Sequence, residues 1–529
     1  MGKDNNTVAW LLGAVLLMLF FSYLRWPYLE MPLDRDEGTY LVIGKQVAEG
    51  QLPYSDVYEM KPPGLFYTYA VLAAVGAYDF EGARGYTLII YGLNGFLLFL
   101  LLRRRDWQWG ALAAQMAFYA VSMDPYLHGY ALLSEPLMIL SFLTGLLILT
   151  YSRQHLMYAL AGGLLIGWSV WIKQNMVFPL FFLGFWACYR IWVSHDLSRR
   201  RVAYAIVGAL LGPLLTTVWI VLQSGGSDMM YWIWTYPAQV YTQSISWTEG
   251  MEYLKTFMSY SAPHTALWTV LALMGFGAHF FLKVGAWGRA TPLLFFVFSF
   301  LAVSPGLRFY GHYWILLLPA LALGVGALWE FLDVQLKRFL SDRPAKLVFL
   351  AFTLSVCGYH VYDQREVYIQ PDVERWSRLS YGNNPFWEIQ DIAAKLREYG
   401  RPDAKVAVMG SEPQLYVYLN QVPFTTHTFV TFLNKRHPRR GAMRSEFTSD
   451  VQRVQPKYIV FVNHPYSWSI AEGDHRDVHA WAYRYSKNNY KPIGLYEMDG
   501  TARDARIWSD KSAQLQPKAS RFIQVYIRK

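Results

Sequence analysis

Eleven apolar stretches, each close to the length that crosses a bilayer, limit what this 529-residue chain can fold into. A spanning helix takes roughly 20 apolar residues. Helices suit lipid because they satisfy every backbone N–H and C=O internally. The stretches run over about 8–26, 84–102, 108–124, 132–151, 156–172, 175–193, 202–222, 264–282, 290–304, 313–330 and 346–362, and those at 108–124 and 290–304 are short for the task. The chain is 54% hydrophobic and 17% aromatic, with 21 Trp, too apolar for a soluble protein of this size. The expected fold class is a polytopic α-helical membrane protein of about eleven transmembrane helices. The first stretch reads as a span and not as a signal peptide, since a charged loop follows it and a small-residue cleavage site does not.

Lysine and arginine placement sets the expected orientation. Alternate short loops carry Arg103-Arg104-Arg105, Arg153, Arg190, Arg199-Arg200-Arg201, Lys283, Arg289, Lys337 and Arg338, and the opposite loops little beyond Lys173, Lys255 and Arg308. The arginine-rich side is expected to be cytoplasmic. The N-terminus then lies inside, and the first loop, 27–83, and the tail, 363–529, face outward. Attraction to an anionic inner leaflet accounts for much of the +10 net charge without calling on nucleic acid. Cys188 and Cys357 fall within predicted spans, where a disulfide is not expected.

The expected domains are a membrane domain, 1–362, and an outward α/β domain, 363–529. In the tail, 406–410, 458–462 and 522–526 read as strands, and 386–399 and 441–454 as helices. The polar stretch 363–385, with the turn cluster Gly382-Asn383-Asn384-Pro385, marks the boundary. Trp468, Trp481 and Tyr490 suit either sugar stacking, if exposed, or a domain core.

Charge in the membrane half gathers in a few places. The first loop reads Leu33-Asp34-Arg35-Asp36-Glu37-Gly38-Thr39-Tyr40, then Glu59-Met60-Lys61-Pro62-Pro63-Gly64. A carboxylate at a membrane surface can act as general base toward a hydroxyl, and Asp36-Glu37 is the leading candidate, with Asp34 a weaker rival. The plainer alternative is a solvated loop or an ion pair with Arg35. Lys61, directed by two prolines, suits a phosphate, unless Pro62-Pro63 simply breaks the chain before an amphipathic stretch, 65–75. Ser134-Glu135-Pro136 could begin a helix, with Ser134 as N-cap, or could place Glu135 on the outward side with Asp36. Arg308-Phe309-Tyr310-Gly311-His312-Tyr313 offers a cation and an imidazole for a phosphate or a metal, against an aromatic belt with an arginine anchor. Lys173-Gln174-Asn175 is a further outward polar cluster.

Together these motifs resemble the GT-C superfamily of polyprenyl-phosphate-sugar-dependent glycosyltransferases, in its bacterial branch related to protein O-mannosyltransferases and the lipid A aminoarabinose transferase. The resemblance covers about 8–330. It rests on Asp36-Glu37, on Lys61-Pro62-Pro63, on Glu135, and on His312-Tyr313 followed by an apolar run to Pro319. It implies an enzyme of a bacterial inner membrane that moves a hexose or pentose from a polyprenyl-phosphate donor to an outward hydroxyl of a lipid, glycan or protein. Transfer would occur with inversion in one displacement. Asp36 would be the base beside Glu37; Lys61, Arg308 and His312 would bind the donor phosphate; Asp34, Tyr40, Glu59, Glu135, Lys173 and Tyr313 would support the site. Where the lipid A aminoarabinose transferase places a metal-holding glutamate before Lys-Pro-Pro, this chain has Met60, with Glu59 the nearest acid. The implied cofactor is therefore none of necessity, with a divalent metal left as an option. A flippase of lipid-linked sugar is the alternative from another class; against it, the sequence shows no paired broken spans in corresponding halves.

Overall fold

The computed structural model describes residues 2–241, 245–282, 286–399, 403–470, 476–498, 506–509, 511 and 515–529. Lys283, one of the cytoplasmic-side cations expected above, lies outside them. The chain divides into two compact units. The first comprises Met1–Glu30, Arg84–Val218 and Ile245–Ser380, and the second Met31–Ala83, Trp219–Ser244 and Tyr381–Lys529. The first loop and the tail thus share a unit, together with a short segment that begins at the end of the seventh predicted span.

The first unit is helical. Of the expected spans, five segments of the described chain are long and apolar enough to cross a membrane: Thr7–Glu30, Phe80–Arg103, Arg199–Leu222, Gly311–Phe339 and Pro344–Asp363. Ser134–Leu149, Leu156–Ile172 and Arg289–Val303 are apolar but shorter. The expected span at 264–282 is the second half of a 33-residue helix, Trp247–His279. Helix Arg199–Leu222 exposes Ile206, Val207, Leu210, Leu214 and Leu215. A row of bare aliphatic side chains along such a helix is stable in lipid and not in water. Cys188 and Cys357 are both free thiols.

Helix Leu318–Phe339 runs inside the bundle, with Trp329 fully buried. It packs on Gln108–Val121 and Trp247–His279 through paired glycines. A Cβ on Gly110 would stand 2.6 Å from the Gly326 carbonyl oxygen, and one on Gly275 would strike that of Gly324. Likewise Gly163 and Gly167 face the backbone at Ala205 and Ala209. Small residues four apart let helix backbones approach closely, the usual route to packing where lipid removes the hydrophobic drive.

The second unit carries the sheet. Its strands are β1 (Val406–Met409), β2 (Tyr458–Asn463), β3 (Tyr490–Glu497), β4 (Arg506–Trp508) and β5 (Phe522–Arg528), in the order β1-β2-β5-β3-β4. β1 and β2 are parallel and the other pairs antiparallel. The parallel step needs a crossover, which includes helix Arg440–Val454. The three expected strands and helices 386–399 and 441–454 form at those places, and β3 and β4 are additional. β3 holds Pro492, and the ladder with β5 shifts register between Pro492 and Gly494. Proline offers no N–H to a ladder, so a bulge there is the natural accommodation. Trp468 and Tyr490 are each 2% exposed and belong to the core, which removes them as stacking platforms; Trp481 is half-buried.

Candidate active site

In the second unit the first-loop acids do three different things. Helix Arg35–Ala48 begins at Asp34, whose carboxylate accepts the Asp36 N–H at 2.8 Å. Glu37 reaches back to accept the Asp34 N–H at 3.2 Å and completes a capping box. Glu37 is fully buried there. The Asp36-Glu37 pair therefore splits: Glu37 and Asp34 hold the helix start, and Asp36 is the half-buried acid that remains. Its carboxylate accepts from Tyr40 Oη at 3.3 Å, one turn along, and has no ion-pair partner among the described residues. The alternative of an Asp36–Arg35 pair fails, because Arg35 turns to Glu412, Nη2 to Oε1 at 2.8 Å.

Lys61 sits where extended backbone meets helix. Pro62 is extended and Pro63 opens helix Pro63–Ala74, so the prolines begin a helix as well as direct the lysine. The Lys61 carbonyl accepts from Tyr54 Oη at 2.7 Å, and Nζ lies 3.9 Å from Glu59 Oε1. Glu59 is buried and also accepts the Met60 N–H at 2.8 Å. Burial raises its pKa above the ordinary 4.5, while Lys61 and the Met60 N–H pull it down and the charge of Asp36 pushes it up.

The first unit holds a second polar cluster. Glu135 lies in the first turn of helix Ser134–Leu149 and is fully buried. Lys173 forms an ion pair with it, and Lys173 Nζ stands 4.2 Å from the centre of the Tyr313 ring. A carboxylate on one side and a ring face on the other offset the desolvation of that ammonium. The His312 ring meets Tyr313 edge-on at 4.7 Å, with His128 at 5.9 Å and Tyr310 stacked at 6.0 Å. Arg308 Nη1 donates to Tyr310 Oη at 3.1 Å. Gly306, Leu307 and Phe309 all have positive φ. Left-handed backbone at two non-glycine residues flanking Arg308 is costly and of a kind found at functional loops. Ser134 is not the N-cap expected of it: Leu133 holds that position, and the Ser134 hydroxyl donates to Glu135 Oε2 at 3.0 Å. Among the described residues no three His, Cys, Asp or Glu side chains are grouped to hold a metal.

The structure thus joins Asp34, Asp36, Glu37 and Tyr40 at one helix start, Glu59 with Lys61, and Glu135, Lys173, His312 and Tyr313 in a second group; Arg308 reaches the latter through Tyr310. The sequence reading missed the Glu412 partner of Arg35, 377 residues away, for which no local signal exists. It also missed the capping box, which Asp-x-x-Glu does announce.

No family model and no curated protein matches this sequence. Among solved structures it is similar to ArnT from Cupriavidus metallidurans bound to undecaprenyl phosphate, with a TM-score of 0.58 at 14% identity over 99% of this chain and 98% of that one. It is also similar to the same protein in the apo state, with a TM-score of 0.53 at 13% identity over 98% of each chain. The chain has the GT-C fold. AglB from Archaeoglobus fulgidus, solved with an inhibitory peptide and a dolichol-phosphate, aligns with a TM-score of 0.47 at 14% identity, over 100% of this chain and 76% of that one. The likeness to the ArnT structure spans both units.

Proposed function

We propose that this protein is a multi-pass membrane glycosyltransferase that moves a hexose or pentose from a polyprenyl-phosphate donor to an acceptor hydroxyl on the outer face of a bacterial inner membrane. The observation that carries the reading is Asp36: a half-buried carboxylate at a helix start, bonded by Tyr40 and left without a cation among the described residues, in a chain with the GT-C fold. A carboxylate so placed can take a proton, which one neutralised by a buried cation does poorly. That the similar ArnT structure is bound to undecaprenyl phosphate supports the choice of donor class.

In this reading Asp36 removes the acceptor hydroxyl proton as the oxygen attacks the anomeric carbon from the face opposite the phosphate. The carbon–phosphate-oxygen bond breaks in the same step, the configuration inverts, and polyprenyl phosphate leaves. Lys61, Arg308 and His312 hold the phosphate and stabilise the charge that grows on it. Asp34 and Glu37 hold the base's helix. Glu59, Tyr40, Glu135, Lys173 and Tyr313 support the site. The acceptor is a lipid, glycan or protein, and no metal is obligatory. Eleven spans, an inward N-terminus and an outward C-terminal segment belong to the same proposal.

The test is transfer by the purified, reconstituted protein with a panel of radiolabelled polyprenyl-phosphate sugars and membrane extract as acceptor, with and without EDTA. Release of polyprenyl phosphate from one donor, lost in Asp36→Asn and unaffected by EDTA, supports the proposal. Movement of the intact donor across the vesicle membrane with no product formed would replace it with a flippase.

A further inference from the structure

We infer that Glu412, in the C-terminal segment of the chain, is a positioning residue for Asp36, acting through Arg35. The inference rests on the proposal that Asp36 is the base, and deepens it by giving the C-terminal segment a part in catalysis.

Asp36 is contacted from its own helix, but its flanks are held by residues 349 to 385 positions away in sequence. Tyr381 Oη donates to the Pro32 carbonyl at 2.9 Å, and the Leu33 N–H donates to Tyr418 Oη at 2.7 Å. Arg35 Nη2 meets Glu412 Oε1 at 2.8 Å, while its Nε donates to the Ser411 carbonyl at 2.5 Å. On the other side of Asp36, a Cβ on Gly38 would stand 2.6 Å from the Gln414 nitrogen and 2.7 Å from its Cα, so only glycine lets the two backbones lie together. Residues 32, 33, 35 and 38 are thus all held by residues between 381 and 418, around the half-buried carboxylate at 36.

Glu412 is the fixed point of that seat. It is fully buried, and its second oxygen accepts from Ser467 Oγ at 2.8 Å. Ser467 Oγ in turn accepts the Ser411 N–H at 2.9 Å. Both carboxylate oxygens are therefore committed, one to a guanidinium and one to a hydroxyl anchored on the neighbouring backbone. A buried pair of this kind contributes little net stability compared with apolar side chains of the same size. What it does supply is direction, because a planar guanidinium held at Nε by the Ser411 carbonyl and at Nη2 by the Glu412 carboxylate is fixed in one orientation. The residue next along the chain from that fork is Asp36. A base displaced by about 1 Å from its proton costs on the order of a hundredfold in rate.

The experiment compares full-length Glu412→Gln, Glu412→Asp, Arg35→Lys and Asp36→Asn, reconstituted and checked for folding by thermal unfolding. It measures kcat and donor KM separately and follows hydrogen exchange of the 33–38 amides. Glu412→Gln is expected to lower kcat roughly tenfold to a hundredfold with donor KM within about twofold, and to speed exchange at 33–38. Glu412→Asp, which keeps the charge, should recover part of kcat, and Arg35→Lys, which keeps charge but loses the fork, should fall between. If Asp36→Asn abolishes transfer while both Glu412→Gln and Arg35→Lys keep wild-type kcat, positioning by Glu412 is overturned and the enzyme reading stands. If Asp36→Asn transfers normally, it is the base assignment that fails. Should Glu412→Gln not fold, Arg35→Lys and Ser467→Ala decide the matter by the same split.

Discussion

Asp36 and Glu135 are both first-turn acids of a helix, one in each unit, and they are treated in opposite ways. A helix N-terminus favours a carboxylate in either place. Glu135 is fully buried, bound by Lys173, and capped through that lysine by the ring of Tyr313. Asp36 is half-buried and receives a tyrosine hydroxyl at 3.3 Å. An acid paired with a buried ammonium is held in its charged form and has no reason to take up a proton. Asp36 has no such cation among the described residues. On the proposed function, the difference separates a carboxylate that builds the site from one that reacts in it.

The sharpest way to break this contrast is to neutralise each acid in turn. Asp36→Asn removes the proton acceptor and little else, since Asn can still accept from Tyr40. Transfer should fall by roughly 10²–10⁴-fold, the range for loss of a general base, with unfolding temperature unchanged. Full activity in this variant would reduce Asp36 to a surface acid.

The Glu135 side of the contrast should appear in stability. Lys173→Met leaves a fully buried carboxylate without its cation, which costs about 3–5 kcal/mol for a pair of this kind. The double variant Lys173→Met, Glu135→Gln should recover much of that loss, because nothing charged is left buried. Thermal unfolding in detergent micelles reads both. A single variant as stable as wild type would mean that the pair is not what holds these helices.

Much of this contrast was legible in the sequence, though not which acid did which job. Asp36-Glu37 and Lys61-Pro62-Pro63 stand out because charge is scarce in an apolar chain. Pairing could not be read, because Arg35 finds Glu412 and Glu135 finds Lys173 only once the chain is folded. The same divide runs through the fold. β1 is a short apolar run, and β2 and β5 are rich in β-branched and aromatic residues, so all three announce themselves, whereas β3 carries Pro492 and Gly494, and β4 is three residues long. Helix length was harder still, since hydropathy marks the apolar half of Trp247–His279 and is silent about the polar half that continues it.

Lys61 sharpens the comparison from the cationic side, since it faces a buried acid as Lys173 does but at a looser 3.9 Å. A lysine that must turn to a phosphate should be held in that way. Lys61→Met is expected to lower kcat about a hundredfold, the usual cost of one charge-stabilising donor, with less effect on folding than Lys173→Met has. Equal destabilisation by the two methionines would assign Lys61 to structure.

The smallest effect concerns the acid that Lys61 faces. Burial raises the pKa of Glu59 above its ordinary 4.5, and Lys61 offsets this in part. The folded protein therefore holds the Glu59 proton to higher pH than the unfolded chain does. Stability from this group is fully present below about pH 4.5 and is lost as pH rises through the raised pKa. Glu59→Gln should remove that slope, so that its unfolding temperature falls less than wild type's between pH 4.5 and 7. The sign separates the two lysine–acid pairs. At Glu59 a weak pairing leaves burial dominant, and neutralising the acid relieves a cost near neutral pH. At Glu135 the cation is tightly bound, and neutralising the acid alone strands a buried ammonium. A wild-type stability that rises across the same pH interval, with the rise absent in Glu59→Gln, would show that Lys61 grips Glu59 as firmly as Lys173 grips Glu135. Lys61 would then be poorly placed to turn to a phosphate.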